Sequence, residues 1–408
     1  ARVKVRRKKL DIIEAGQNAD PVVRLQYASK HAGIANYWKY FLGQSEQLVN
    51  NKVWDKKKKI EEDFQTWVSS SADRKKKYGA VLQGFEDSYK AQAKYTIPNV
   101  YMFEAVQGVE TMGWAFGKFG SYSKLFNQMS AEEVDEAKVK ELKDEALKSF
   151  EEFLAETNRD IEKNLYINMM QLYCEDVAEE FQPDYLKELN GKFKGNWEKG
   201  VNKYWTKSPF YSKENMKAWL DKLTLKSLES DMTVQLMNGF IKNYVEMIRP
   251  GSGAARSSMA TSKRLFIDGL RKMNPDKNYA PDANSTMRVT YGQVLAYDVK
   301  DGVMYKNKTT LAGVMAKEVV TDNKSHEFYI HQKLKDLYEA KDYGQYGQDG
   351  VLYVGFLSNN DITGGNSGSP VINGNGELIG CAFDGNWEAM SGDIYFEPNI
   401  QRTISVDI

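Results

Sequence analysis

Only two cysteines, Cys174 and Cys381, occur in the 408 residues. They show neither metal-ligand spacing nor a disulfide framework, so neither a metal nor a disulfide scaffold is expected. Histidine is almost as scarce, with His31, His326 and His331 the whole complement. Charge of one sign is not in excess: Lys+Arg and Asp+Glu each number 56, for a net charge of zero. Such a chain has no strong field to draw nucleic acid or a membrane surface. No apolar run reaches the roughly 18 residues of a membrane-spanning helix. The first residues, ARVKVRRKKLDIIEAG, begin without Met and lack the apolar segment of a secretion signal. They read either as a mature start after signal removal or as a chain without its front half. No internal repeat is evident.

What is there is first of all helix. Val139, Leu142, Ala146, Phe150, Phe153, Ile161 and Leu165 recur near the helical period between Lys and Glu residues. Ser130-Ala131-Glu132-Glu133 ahead of them carries a capping-box signal. Similar stripes run through Ile34 to Phe41, Phe64 to Val68 and Trp219 to Leu236. Tryptophans 38, 54, 67, 114, 197, 205 and 219 read as packing residues. The basic runs Val5 to Lys9, Lys56 to Lys59 and Arg74 to Lys77 read as solvated helix faces. Arg249-Pro250-Gly251-Ser252-Gly253 reads as a loop, with a last helix over Ser262 to Met273.

From about Pro281 the character changes. Thr286 to Tyr291 alternates, and Val294 to Val299, Thr309 to Val314, Leu352 to Leu357 and Thr403 to Val406 read as further strands. A helical insertion, His331 to Ala340, interrupts them. The spacing predicts a helical domain over 1–275 and a strand-rich domain over 276–408, the latter suited to part of a barrel.

Inside the second domain lies NDITGGNSGSPVINGNGELIGCAFDGNW, Asn360 to Trp387. Ser367 stands in Gly365-Asn366-Ser367-Gly368-Ser369-Pro370, where small neighbours let the backbone turn tightly around one hydroxyl. The Gly-x-Ser-x-Gly of a nucleophile elbow is absent, because residue 369 is Ser. The order instead resembles the Gly-Asp-Ser-Gly-Gly-Pro of chymotrypsin-type proteases. Their chemistry needs two converging backbone N–H donors, here Gly365 and Ser367, for the tetrahedral oxyanion. Cys381 to Trp387, reached through the Asn373-Gly374-Asn375-Gly376 turn, falls where a strand lining the substrate would lie. A plain glycine-rich hairpin is the competing reading of these residues.

Thr363 to Val371, with Phe383-Asp384-Gly385-Asn386-Trp387-Glu388, resembles the bacterial dipeptidyl-peptidases of the chymotrypsin-like clan, those of Bacteroidetes among them. The resemblance extends to Pro281 to Arg288, Tyr291-Gly292 and Ala35-Asn36-Tyr37-Trp38-Lys39. It implies a multidomain α and β fold: a large all-α cap domain plus part of a chymotrypsin-like double β-barrel. The implied activity is release of dipeptides from free N-termini of oligopeptides, without a cofactor, in a periplasmic homodimer.

Ser367 would be the nucleophile, with the Gly365 and Ser367 N–H groups as oxyanion hole. Asp384 would pair with the substrate α-ammonium, helped by Asn36. Where the acid-preferring branch resembles an Arg, this chain has Gly385. Phe383 would add an apolar wall, so a hydrophobic or aromatic penultimate residue is expected. The serine also needs a base and an orienting acid. In this type of barrel both precede the serine, so the chain is expected to lack them and to be inactive alone. An endopeptidase with a helical insertion, or a non-catalytic helical binding module, are the alternatives.

Overall fold

The computed structural model describes residues 1–279, 284–321, 324 and 326–408, with the side chains of 119–121 excepted. Pro281, Asp282 and Ala283, part of the resemblance above, lie outside the described residues. The chain combines a large helical region with antiparallel sheets, and it forms two compact units. One contains Ala1–Lys39 and Glu61–Asn278; the other contains Tyr40–Ile60 and Tyr279–Ile408. The expected boundary at 275–276 lies beside the second break, whereas no composition shift marks the assignment of residues 40–60.

In the first unit, α1 (Arg2–Ala19) buries Val5, Leu10 and Ile13. Val5 and Ile13 enter a core centred on the helix Arg159–Asp176, whose Ile161, Leu165, Tyr166, Met169, Met170 and Tyr173 are all buried. Full burial of each such side chain is worth about 1.5–3 kcal/mol. Asn158 starts that helix by accepting the N–H groups of Asp160 and Ile161 at 3.0 and 3.1 Å. A second cluster gathers Val139, Leu142 and Phe150 with Leu125, Phe210, Met216 and Leu220.

The same core encloses Glu162, whose Oε2 accepts from the Thr111 N–H and hydroxyl at 2.7 Å each. Burial, with Glu110 adding to it, pushes its carboxyl up to about 7. Lys9 is buried too, its Nζ 3.2 Å from the Glu104 carbonyl, and Arg6 pairs with Glu104. The first basic run is therefore partly internal, not simply a solvated face.

Several local expectations are overturned. The continuous apolar stripe belongs to two helices, Glu136–Ala155 and Arg159–Asp176, and Asp135 rather than Ser130 caps the first. Arg249 to Gly253 is not a loop but the first turns of the helix Arg249–Met273. Pro250 directly follows the π-helical turn Tyr244–Ile248, where the backbone already departs from the regular α-helical hydrogen-bond ladder and so takes up a residue without an N–H. Gly251 serves close packing instead of breaking the helix: a Cβ there would stand 2.1 Å from the Tyr95 ring.

The second unit takes residues from Tyr40 onward of α2 (Pro21–Asn50) and the start of α3 (Val53–Ser69). A hairpin pairs β1 (Tyr297–Lys300) with β2 (Val303–Tyr305). The main sheet is antiparallel, ordered β3 (Lys308–Thr310), β4 (Tyr353–Ser358), β7 (Thr403–Asp407), β6 (Leu378–Gly385), β5 (Ser369–Ile372). Thr309 to Val314 thus splits, because Thr310 ends β3 and caps the short helix Leu311–Met315.

Thr286 to Tyr291 joins no ladder; Met287, Val289 and Tyr291 are 93%, 83% and 88% exposed. Alternation alone makes a strand only where a neighbour supplies hydrogen bonds. The predicted helical insertion is present as Gln332–Ala340. Arg402, buried just before β7, donates to the carbonyls of Leu295, Ala296, Pro398, Asn399 and Gln401.

Candidate active site

The segment between β4 and β5 carries Ser367, and its conformation follows from its glycines. Gly365 has φ +103° and Gly368 φ +85°, a region L side chains rarely adopt. Between them Ser367 is held exposed. Thr363 and Asn366 close a small turn: the Thr363 N–H donates to Asn366 Oδ1, and the Asn366 N–H to the Thr363 carbonyl, both at 3.1 Å. The Gly368 N–H donates to the Ala382 carbonyl at 2.8 Å and the Ser369 N–H to the Asn366 carbonyl at 3.0 Å. Among the described residues, the N–H groups of Gly365 and Ser367 have no internal acceptor. Two backbone donors on one tight turn are thus left for an outside oxygen, as an oxyanion hole requires.

Strand β6 supplies the opposite side. Its pairing with β7 shifts between Ala382 and Asp384, so Phe383 is the extra residue of a β-bulge. The Phe383 carbonyl accepts from the Ser367 hydroxyl at 3.4 Å, and its ring is 48% exposed. Asp384 follows with its carboxylate exposed, Oδ1 accepting the Gly385 N–H at 2.8 Å. Gly385 pairs with Thr403 across the ladder. Asn386 is buried and structural: it accepts the Arg402 N–H at 2.8 Å and donates to the Ile400 carbonyl and to Glu388.

Ser367, Gly365, Phe383, Asp384 and Gly385 therefore gather on one loop and one strand end. Asn36 is exposed on the part of α2 that belongs to the first unit. Two of the three histidines have hydrogen-bond partners of their own. His31 Nε2 is 3.0 Å from Glu14 Oε1, and that contact, with Arg7 beside it, holds the Glu14 carboxyl below its usual range. His326 Nδ1 accepts the Phe328 N–H at 3.1 Å, and His331 is an exposed residue at the start of the helix Gln332–Ala340.

Sequence reasoning missed the residues that hold the serine loop in place. Asp393 Oδ1 accepts from the Thr363 hydroxyl at 2.8 Å, and its Oδ2 accepts from the Tyr40 hydroxyl at 3.0 Å. The three-residue spacing of Thr363 and Asn366 is a readable turn signal. Nothing in the chain pattern marks Asp393 or Tyr40.

A glycine-framed serine with two free backbone donors, on a turn joining strands of an antiparallel sheet, is an arrangement that serine peptidases use. The particular family follows from comparison with known proteins. Residues 1–408 match Peptidase S46, and the chain belongs to that family. It is 36% identical over 412 residues to dipeptidyl-peptidase 7 of Porphyromonas gingivalis, covering 100% of this chain and 55% of the relative. An Asp/Glu-specific dipeptidyl-peptidase of Flavobacterium psychrophilum is 32% identical over 412 residues, with 100% and 56% covered. The crystal structure of Porphyromonas endodontalis DPP11 in complex with dipeptide Arg-Glu superposes with a TM-score of 0.84 at 28% identity, over 100% of this chain and 57% of that one. The chain spans about half the length of the curated relatives it matches.

Proposed function

We propose that this chain carries the nucleophile side of a serine dipeptidyl-peptidase. The observation that carries the reading is the Ser367 turn, whose two free N–H groups flank an exposed hydroxyl. In the proposed reaction a general base takes the Ser367 hydroxyl proton as Oγ attacks the carbonyl carbon of the bond after the second residue. That protonated base is then the general acid for the leaving group. The developing oxyanion accepts from Gly365 and Ser367, and the peptide amine leaves with a proton from the general acid. The acyl group is then released by water. Asp384 would hold the free α-ammonium and so fix how much of the peptide enters the site.

The base belongs to the part of the relatives' length that this chain does not span. That proposal is supported by the contacts of His31 with Glu14 and of His326 with the Phe328 N–H, and by the Ser367 hydroxyl bonding the Phe383 carbonyl rather than a histidine. By itself the chain would then be inactive. The strand-bearing unit is proposed as part of a chymotrypsin-like double barrel, and the whole protein as a periplasmic homodimer acting on oligopeptides.

An apolar penultimate residue is the preference we propose. The half-exposed Phe383 ring and the absence of a cation at Gly385 support it. The relatives include both a dipeptidyl-peptidase 7 and Asp/Glu-specific enzymes, so preference needs its own test. Fluorogenic dipeptides, apolar or acidic at the second residue and free or acetylated at the amine, are offered to this chain and to a form extended to the relatives' full length. Cleavage by the extended form, confined to free-amine apolar substrates, is the expected result. Cleavage of acetylated substrates would make it an endopeptidase, and silence with intact folding would reduce the serine loop to a structural turn.

A further inference from the structure

The reading of Ser367 as nucleophile leaves open what holds its loop in register, and the geometry points to one residue. We propose that Asp393 is a positioning residue that fixes the oxyanion turn to the second half of α2. The proposal rests on the function proposed for Ser367 and goes beyond it. Its two carboxylate oxygens do separate jobs: Oδ1 accepts from the Thr363 hydroxyl at 2.8 Å and Oδ2 from the Tyr40 hydroxyl at 3.0 Å. Tyr40 is held in turn by Gln44, whose Nε2 donates to the phenol oxygen at 2.9 Å.

Around this point α2 and the segment 387–397 are closely fitted. A Cβ on Gly43 would stand 2.8 Å from Met390 Cγ. Trp387 Nε1 donates to Glu46 at 3.3 Å, and Lys56 pairs with Glu397 at 2.6 Å. Asp393 therefore leaves a fixed platform, not a loose strand of chain. At the other end, Thr363 is one of the two residues that close the turn over Gly364 and Gly365, through its reciprocal bonds with Asn366. Fixing the Thr363 side chain fixes the plane of that turn, and with it the direction of the Gly365 N–H. The chain of contacts is short: Tyr40, Asp393, Thr363, the turn, the oxyanion donor.

Asp393 is exposed, so its hydrogen bonds compete with water and contribute little to stability. That makes a purely structural purpose a poor explanation of a two-armed contact, and it makes the proposal testable. A structural residue would change melting and leave the chemistry alone; a positioning residue does the reverse.

The test uses the full-length form and a dipeptidyl phosphonate with a free amine, which labels a reactive serine. Labelling at Ser367 by the unaltered protein comes first, since its failure would remove the nucleophile reading and this proposal with it. Given labelling, Asp393→Ala is expected to slow both labelling and kcat by about ten- to a hundredfold, the cost of a misplaced reacting group. KM and the melting temperature should move little. Asp393→Asn, which can accept from one hydroxyl and donate to the other, should recover most of the rate. Thr363→Val should lose as much as Asp393→Ala, and the double variant should lose no more than either. Unchanged kcat in Asp393→Ala and Thr363→Val would overturn the proposal while leaving Ser367 as nucleophile. So would a loss confined to KM, or one that follows unfolding in both variants.

Discussion

The hydroxyl of Ser367 lies 3.4 Å from the carbonyl oxygen of Phe383, the residue that β6 leaves unpaired as it bulges. One irregularity in a strand thus turns a carbonyl toward the Ser367 hydroxyl and leaves the next side chain, Asp384, exposed. Pairing in strict alternation would have put these two residues on opposite faces of the sheet with both backbones engaged.

Replacing Gly365 by Ala should impair chemistry more than binding. Its φ of +103° strains any L side chain, although open space surrounds the position. The turn should relax and misdirect one oxyanion donor, lowering kcat about a hundredfold with KM nearly constant. Steady-state kinetics on the full-length form checks this, and equal losses in kcat and 1/KM would point to a binding role instead.

Asp384→Asn should weaken recognition of the free amine. A hydrogen bond between charged groups is worth about 1.5–3 kcal/mol, equivalent to about ten- to a hundredfold in kcat/KM. The loss should appear on free-amine substrates, and the preference over acetylated ones should narrow. An unchanged ratio would take Asp384 out of the substrate site.

Gly385→Arg should move preference toward Asp and Glu at the penultimate residue. A Cβ at Gly385 would meet the Ala389 Cβ at 3.2 Å, a tight contact relieved by a shift of a few tenths of an ångström. The fold should therefore accept the change. Competition between apolar and acidic dipeptide substrates reads the outcome; an unaltered ratio would show that residue 385 does not face the penultimate side chain.

Arg402→Met should destabilise the second unit by about 3 kcal/mol or more. The substitution strips five carbonyls of their donor in a buried place. Urea unfolding followed at β-sheet wavelengths measures it, and a change within experimental scatter would mean that water replaces the guanidinium.

Glu162 gives the first unit a pH dependence of definite sign. Its carboxyl is raised from 4.5 to about 7 in the folded chain, so the native state holds this proton more tightly than the unfolded one. Its contribution is fully present below about pH 4.5 and is lost as pH rises through about 7. Glu162→Gln, which cannot ionise, should flatten the wild-type fall in stability across that window. Parallel stability curves for the two proteins would show that the carboxyl titrates normally.

The serine turn, its hairpin and the change from helix to strand were legible because local composition sets them: glycine where φ must be positive, Asn-Gly at the turn, alternation in the strands. Asp393 was not, since its partner Tyr40 is 353 residues away and neither residue belongs to a periodic pattern. Gly251 and Pro250 misled for the opposite reason. Local propensity marks them as breakers, but tertiary contact with Tyr95 makes the small residue necessary and the π-helical turn just before Pro250 accommodates the proline. The bulge at Phe383 has no signature in residue types at all, because it is a property of two strands in register.

A Cβ at Gly365 or Gly368 would meet nothing within 4 Å, and neither glycine is a member of the buried clusters. The conformation around the serine is thus written in a few residues that bear almost no weight in holding the molecule together. On the function proposed for Ser367, variation there would silence the chemistry and leave a soundly folded chain, so relatives that have lost activity are expected to differ at these two positions before their cores decay.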